Sequence, residues 1–364
     1  MLRIYDTRTG QVEEVPPARG VRLYECAPPV DRPAHLGDLR PLLLSDLIRR
    51  VLERQRVRMV VCRGVSDLGS PSEAARSYEE AVSRDALALN LRSPEQSPRA
   101  TEHVAQVIEL VRGLIERGHG YAADGWVFFD AASFPTYGEL SGQKEGPPGD
   151  EDGPRRNRAD WVLWRPADGW DSPWGRGVPG PHVSCSAMSL ARLGEDVAFQ
   201  TGGTELIFPH HEAMRAQGNA VAGREVVRRW AHGAGLLSEP PMLADVTSAG
   251  LDPLAVRLAF LQHHYRSPFD LTWDVLRAAD ATLRRWRARV AEWSESPSAP
   301  MSTAYVQRAE AALDDDLDTP EALRVMDELE HDESVPAGAK FESFLHLDYV
   351  LALDLPVDIG KPRT

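Results

Sequence analysis

The sequence predicts an α/β protein built on a doubly wound parallel sheet, and three observations carry that prediction. Strand-like and helix-like stretches alternate from the N-terminus: GVRLYECA (20–27), LRPLLLSDLIRRVLERQ (39–55), VRMVVCRGVSD (57–67) and SPSEAARSYEEAVSRDALALN (70–90). This is the order of βαβ units. VRMVVCRGVSD is a continuous apolar run, as expected of a parallel strand covered on both faces. After an interruption, EDVAFQTGGTELIFPHHEAM (195–214) repeats the order of strand, Gly-rich turn and helix.

Each element has a local reason. The 39–55 stretch carries its apolar residues at helical spacing. The 70–90 helix has Ser70 or Ser72 available as a cap, and TEHVAQVIELVRGLIERGHG (101–120) has Thr101. Residues 1–120 and 181–250 are expected to form the two halves of the sheet domain, with 121–180 inserted between them. Within the insertion, GYAADGWVFFDAASFPTYG reads as a small hairpin. The Gly/Pro-rich, charged GQKEGPPGDEDGPRRNR reads as an exposed, mobile loop. Trp161, Trp164, Trp170 and Trp174 follow; they read first as aromatic packing and second as the wall of a substrate pocket. Residues 251–364 are expected to be a helical domain, with a helix start at Asp318-Thr319-Pro320-Glu321.

The bulk composition excludes several classes. The 364 residues carry 42% hydrophobic and 26% charged side chains, as in an ordinary globular protein. No apolar run is long enough to span a bilayer, and the N-terminus lacks a signal peptide's pattern. Cys26, Cys62 and Cys185 are too few and scattered for a disulfide framework, so a cytoplasmic location is expected. The net charge of −14 removes the default pull toward nucleic acid. The lysines are Lys144, Lys340 and Lys361, so no mechanism can use a lysine between residues 145 and 339.

Two constellations could carry chemistry. In the first, Ala34-His35-Leu36-Gly37-Asp38 leads into the 39–55 helix. A helix start offers free N–H groups and a positive dipole end to a nucleotide phosphate. Asp38 opposes that use, because like charges about 4 Å apart repel by roughly 4 kcal/mol at an effective dielectric of 20. A bound Mg²⁺ would reverse the sign and make Asp38 a ligand. In the second, Cys26, Cys185 and His210 sit at or near the expected carboxyl ends of strands. Two thiolates and an imidazole suffice for Zn²⁺ with one position open. Buried cysteines are more often small core hydrophobes, so spacing alone leaves both readings open. Cys62 reads as core.

The runs LRIYDTRTG, YECAPPVDRPAHLGD, DWVLWRP, SPWGRGVPGPHVSCSAM, GGTELIFPHHE, LAVRLAFLQHHYRS and DDDLDTPEAL resemble cysteinyl-tRNA synthetase. They resemble more closely its tRNA-independent relative, the cysteine ligase of mycothiol biosynthesis. The resemblance runs in one order from residue 2 to about 325. It implies a class I aminoacyl-tRNA synthetase-like Rossmann core with an inserted subdomain and a C-terminal helical bundle. It also implies that Cys26, Cys185 and His210 hold a zinc that selects cysteine by its thiolate. A metal–thiolate bond separates cysteine from serine better than an apolar pocket could. The family's tRNA synthetases add a Glu four residues after the His; here that residue is Met214, and the mycothiol ligase lacks the Glu too. The resemblance further places His35 and Asp38 at the catalytic end of the cleft. It assigns His35, Gly37, Gly202, Gly203 and Glu205 to the nucleotide, and Asp67 and His182 to the amino acid. His211 and Glu212 read as structural, or as partners that orient the ligand imidazole.

Several departures bear on ATP and Mg²⁺. The family's H-I-G-H motif is His35-Leu36-Gly37-Asp38, and its K-M-S-K-S loop is absent, with no Lys or Arg between His232 and Arg257. Such cations usually supply several kcal/mol of stabilisation to a developing pyrophosphate. The Gly-rich turn is Thr201-Gly202-Gly203-Thr204-Glu205, one Gly fewer and its acid lengthened; Ala234 replaces a Gly, and Pro181 a Trp. In the amino-acid pocket the chain reads Pro29-Val30-Asp31-Arg32. The expected function is a tRNA-independent ligase or acyltransferase joining cysteine, or a related thiol or amino acid, to a small-molecule amine. The alternative is a paralogue without ATP activation that binds a thiol ligand or a partner protein. A tRNA-charging enzyme ranks last, on acidic charge and a short helical end.

Overall fold

The computed structural model describes residues 1–28, 30–69, 72–144 and 153–361. An antiparallel hairpin, β1 (Arg3–Asp6) and β2 (Gln11–Glu14), precedes the main sheet. That sheet contains β3 (Gly20–Cys26), β4 (Arg58–Gly64), β9 (Val197–Gly203) and β10 (Val227–Gly233), all parallel and in the order β10-β9-β3-β4. From β3 the chain crosses through α1 (Leu36–Arg54) to β4 on one side. From β9 it crosses through α5 (Glu212–Ala222) to β10 on the other. The two crossovers diverge between β3 and β9, and such a switch point opens a crevice at the carboxyl ends of the strands. Cys26, Gly64 and Gly203, the last residues of three of the four strands, edge that crevice.

Helix α1 starts three residues before the expected 39–55 stretch. His35 is its N-cap, in extended conformation, and Asp38 closes a capping box onto the His35 N–H. The earlier start places Pro41 inside the helix, where its missing N–H leaves the Gly37 carbonyl without its usual helical partner. Helix α2 (Ser72–Ala88) follows β4. The proposed caps Ser70 and Ser72 lie, as side chains, outside the described residues. Thr101 does not cap α3 (Val104–Glu116); it sits in a short turn, and both its N–H and its hydroxyl donate to Asp67.

A second sheet holds β5 (Gly120–Ala123), β6 (Trp126–Phe129), β7 (Trp161–Trp170) and β8 (Gly177–Pro179), antiparallel in chain order. The β5–β6 turn is Asp124-Gly125, both at positive φ as a two-residue hairpin turn requires. Phe129 stacks on Trp161 with ring centroids 4.2 Å apart, and Trp164 is fully buried. Of the charged loop at 142–158, residues 145–152 lie outside the described residues. Its far end is pinned, with Arg156 donating its N–H to the Tyr121 hydroxyl and its guanidinium 4.0 Å from the Tyr121 ring.

Helix α4 (Val183–Leu193) leads back into the main sheet, and α6 (Leu243–Ser248) follows β10. The C-terminal region is helical: α7 (Pro253–Leu261), α8 (Trp273–Trp293), α9 (Thr303–Asp314), α10 (Thr319–His331) and α11 (Ala337–Leu351). Asp318 caps α10 at the Glu321 N–H, with Pro320 in the first turn. Arg257, fully buried in α7, ties this region to the sheet domain: it donates to the Leu351 carbonyl, the Leu89 carbonyl and Asp46 on α1. Burial alone would raise Asp46, but Arg257 and Arg50 reverse that and hold its carboxyl below the ordinary range.

Candidate metal centre and nucleotide cleft

A cleft of about 790 Å³ opens at the switch point. Cys26, Cys185 and His210 line it together with His35, Gly37, Asp38, His182, Gly202, Gly203 and Glu205. Thus every residue expected in the site reaches the cleft except Asp67. Asp67 is buried away from it, its carboxylate engaged by Thr101 and, at 3.6 Å, by Arg99. Trp161, Trp164, Trp170 and Trp174 do not line it either; Trp161 and Trp164 are core.

The three metal-type residues arrive from three elements. Cys26 ends β3, Cys185 lies in the first turn of α4, and His210 sits in a wide helical turn kinked at Phe208, Ile207–His211, just before α5. Cys185 therefore reaches the cluster from the start of a helix and His210 from just before one. One donor atom from each lies within 4.8 Å of the others. Two sulfurs and one imidazole nitrogen at that spacing fit Zn²⁺ and leave one position of a tetrahedron open. His182 Nδ1 pairs with His210 Nδ1 at 3.0 Å, which turns His210 Nε2 toward the Cys26 sulfur, 3.4 Å away. A hydrogen bond on the other ring nitrogen is how a ligating imidazole is usually oriented.

The surroundings decide the charge states. The Cys185 thiol is pushed down by its contact with Cys26 and by His210; the same contact, with burial, pushes the Cys26 thiol up. Burial lowers His182 to about 3, helped by His210. Beneath Cys26 runs a buried chain that no local motif announces. His211 Nε2 lies 3.4 Å from the Cys26 sulfur and His211 Nδ1 2.7 Å from His232 Nε2; His232 Nδ1 lies 2.7 Å from the Thr7 hydroxyl. Gln200 donates to His211 from β9. Tyr24 has a buried hydroxyl with no oxygen or nitrogen partner, facing the Cys185 sulfur. Glu212, fully buried, accepts from the Leu140 and Ser141 N–H groups, so it holds the second sheet's connection and not the metal-type cluster.

At the other end of the cleft, Arg32 donates to both oxygens of Asp38, at 2.8 and 2.9 Å. The pairing pushes the Arg32 guanidinium up. Arg32 is the one guanidinium among the described residues lining the cleft, whereas Asp31, Asp38 and Glu205 bring three carboxylates. Sequence spacing gave no sign of the pair, since the two residues meet only through the turn at Pro33.

The family model described as "tRNA synthetases class I (C) catalytic domain" matches residues 13–281. The chain belongs to this family. Among its relatives, the cysteine–tRNA ligase of Opitutus terrae is 35% identical over 375 residues, covering 88% of this chain and 80% of the relative. That of Rhodospirillum rubrum is 37% identical over 351 residues, covering 87% and 75%. Solved structures of other class I synthetases share the fold. A methionyl-tRNA synthetase of Mycobacterium tuberculosis in complex with methionyl-adenylate superposes with a TM-score of 0.63 at 15% identity, covering 94% of this chain and 93% of that one. The arginyl-tRNA synthetase of Plasmodium falciparum gives 0.59 at 12%, covering 92% and 76%. The expected fold class, a synthetase-type parallel sheet with a C-terminal helical region, therefore holds. No helix among the described residues of this synthetase-family chain is long and apolar enough to cross a membrane.

Proposed function

We propose that this member of the cysteinyl synthetase family binds cysteine, or a related amino acid, through a zinc held by Cys26, Cys185 and His210. We propose further that it joins the cysteinyl group to a small-molecule amine, as the mycothiol cysteine ligase branch does. The observation that carries the reading is the convergence of those three donors within 4.8 Å at the foot of the cleft. A zinc there would supply an open position that takes a substrate thiol as thiolate and refuses a hydroxyl of similar size.

The chain's own residues do the rest. Cys26 and Cys185 provide the two sulfurs, and His182 holds His210 with Nε2 toward them. His211, backed by His232 and Thr7, lies 3.4 Å from the Cys26 sulfur on the protein side. For the acceptor, a second cavity shares Arg32, His35 and Pro240 with the first and is lined by Trp273, Met242, Glu239 and Asp245. Apolar surface beside carboxylates suits a cationic amine with an apolar body better than the polyanionic end of a tRNA.

A second reading, thiol binding without activation of the carboxyl group, is favoured by one observation: at the start of α1, which the family resemblance assigns to the nucleotide, Arg32 and Asp38 are paired with each other. ATP–pyrophosphate exchange on zinc-loaded protein, across all amino acids, tests the two. Exchange with cysteine supports a self-contained ligase, and exchange with another amino acid would replace cysteine in the proposal. Absent exchange with cysteine bound supports the second reading or an acyltransferase that receives its donor activated. Charging of tRNA by the purified protein would overturn the small-amine acceptor.

A further inference from the structure

We infer that Arg32 and Asp38 are specificity-determining residues that keep nucleoside triphosphates out of the cleft. The inference rests on the proposed reading for the cysteine end only, since it concerns the opposite end.

A phosphate at a helix N-terminus needs free backbone N–H groups, a positive local field and side-chain cations. At α1 most of these are already taken, and of the N–H groups of residues 35–38 only that of Gly37 has no partner within the described residues. The His35 N–H donates to Asp38 at 2.9 Å and the Asp38 N–H to the His35 carbonyl at 3.0 Å. The Leu36 N–H donates to the Pro241 carbonyl at 3.2 Å. Asp38 itself puts a carboxylate, only 10% exposed, at the positive end of the helix, where it plays the part an anionic ligand would play. Arg32 is committed to it through two parallel hydrogen bonds, the strongest geometry a guanidinium and a carboxylate can form.

Among the described residues lining the cleft, no Lys or Arg other than Arg32 remains to compensate. From Gly233 to Val256 the chain has neither Lys nor Arg, and Asp31 and Glu205 add negative charge to the same walls. A triphosphate would have to displace Asp38 from Arg32 and from the His35 N–H before it could use either group. Asp38 in the role of a Mg²⁺ ligand would need the same displacement. Any activation of a carboxyl group used by this protein then belongs to an ATP-consuming reaction on a different protein. Of the two chemistries proposed for the amine acceptor, this leaves the acyltransferase, which would take a preformed cysteinyl ester or thioester, break its acyl–oxygen or acyl–sulfur bond as the amide forms, and release the alcohol or thiol.

The test is calorimetric titration of ATP, with and without Mg²⁺, into the zinc-loaded full chain and into Asp38→Asn. The isosteric amide removes the charge, frees Arg32 and keeps the size of the side chain. The expected results are no saturable ATP binding below about 1 mM for the native chain and at least a roughly tenfold gain for Asp38→Asn. Asp38→Ser is the second variant should Asp38→Asn fail to fold, and it should show a gain in the same direction. Native binding tighter than about 100 μM, or a variant that binds ATP no better than the native chain, would overturn the inference. So would binding that requires Mg²⁺ and disappears in Asp38→Asn. Cysteine binding, read on the same samples from the spectrum of a cobalt-substituted centre, reports separately on the zinc reading. A failure there leaves the ATP result intact.

Discussion

Replacing Gly64 with Ala should loosen the metal-type cluster although residue 64 is not one of its ligands. Gly64 ends β4, and a Cβ built on it would lie 1.8 Å from the Tyr24 hydroxyl oxygen, 2.7 Å from the adjoining ring carbon and 3.2 Å from the Met188 methyl. Tyr24 is fully buried among Cys62, Cys185 and Met188, so its ring cannot turn aside without moving the Cys185 neighbourhood. Overpacking of this kind costs about 1–3 kcal/mol. The lower entropy of the unfolded Ala chain returns about 0.4–1 kcal/mol of it, so the net loss should be about 1–2 kcal/mol. Because Tyr24 faces the Cys185 sulfur, zinc affinity should also fall by roughly tenfold, the usual scale for disturbing a ligand's support. Urea denaturation gives the first number and competition with a chromophoric chelator the second. Adding Tyr24→Phe removes the nearest atom and leaves the ring carbon at 2.7 Å, so the double variant should recover part of the loss and not all of it. A Gly64→Ala protein that unfolds and holds zinc like the native chain would refute the reasoning.

Three further predictions follow from buried groups. Arg257→Met should cost about 3–5 kcal/mol, as the loss of one member of a buried pair usually does, because it strands the Leu351 and Leu89 carbonyls and half of Asp46's pairing; urea midpoints read this, and a loss below 1 kcal/mol would contradict it. His232 is lowered to about 3 by burial, so it is neutral when folded and takes up a proton on unfolding below its ordinary value near 6.5. Its contribution is complete above that value and shrinks as pH falls toward 3, by about 2 kcal/mol at pH 5, so His232→Gln should show a correspondingly flatter stability profile between pH 7 and pH 5. Cys62 is fully buried and pushed up to about 12, so iodoacetamide at pH 8 should label it only after unfolding.

The sequence carried the sheet because βαβ order and continuous apolar strands are local properties; β3, β4 and the β9 turn lie where those patterns put them, and α1 differs by starting three residues early. Boundaries were less legible where a side chain was claimed by a distant partner. Thr101 looks like a helix cap in isolation, yet Asp67 on the neighbouring segment holds it, and α3 starts at Val104. The same contact removes Asp67 from the cleft. The three metal-type donors could be named but not brought together, since 159 residues separate Cys26 from Cys185 (185 − 26). The chain from Thr7 through His232 and His211 to Cys26 joins four elements and leaves no periodic trace. Asp38 was visible as a misplaced charge, whereas its partner Arg32 was hidden in a turn whose path only the fold defines.

The most direct test of the account is metal analysis combined with cobalt substitution. The account predicts one tightly held zinc per chain, lost in Cys26→Ser and in Cys185→Ser, and a cobalt form whose visible spectrum shifts on adding cysteine but not serine or alanine. A purified chain that retains no zinc when loaded, or a cobalt spectrum that responds equally to serine, would contradict it.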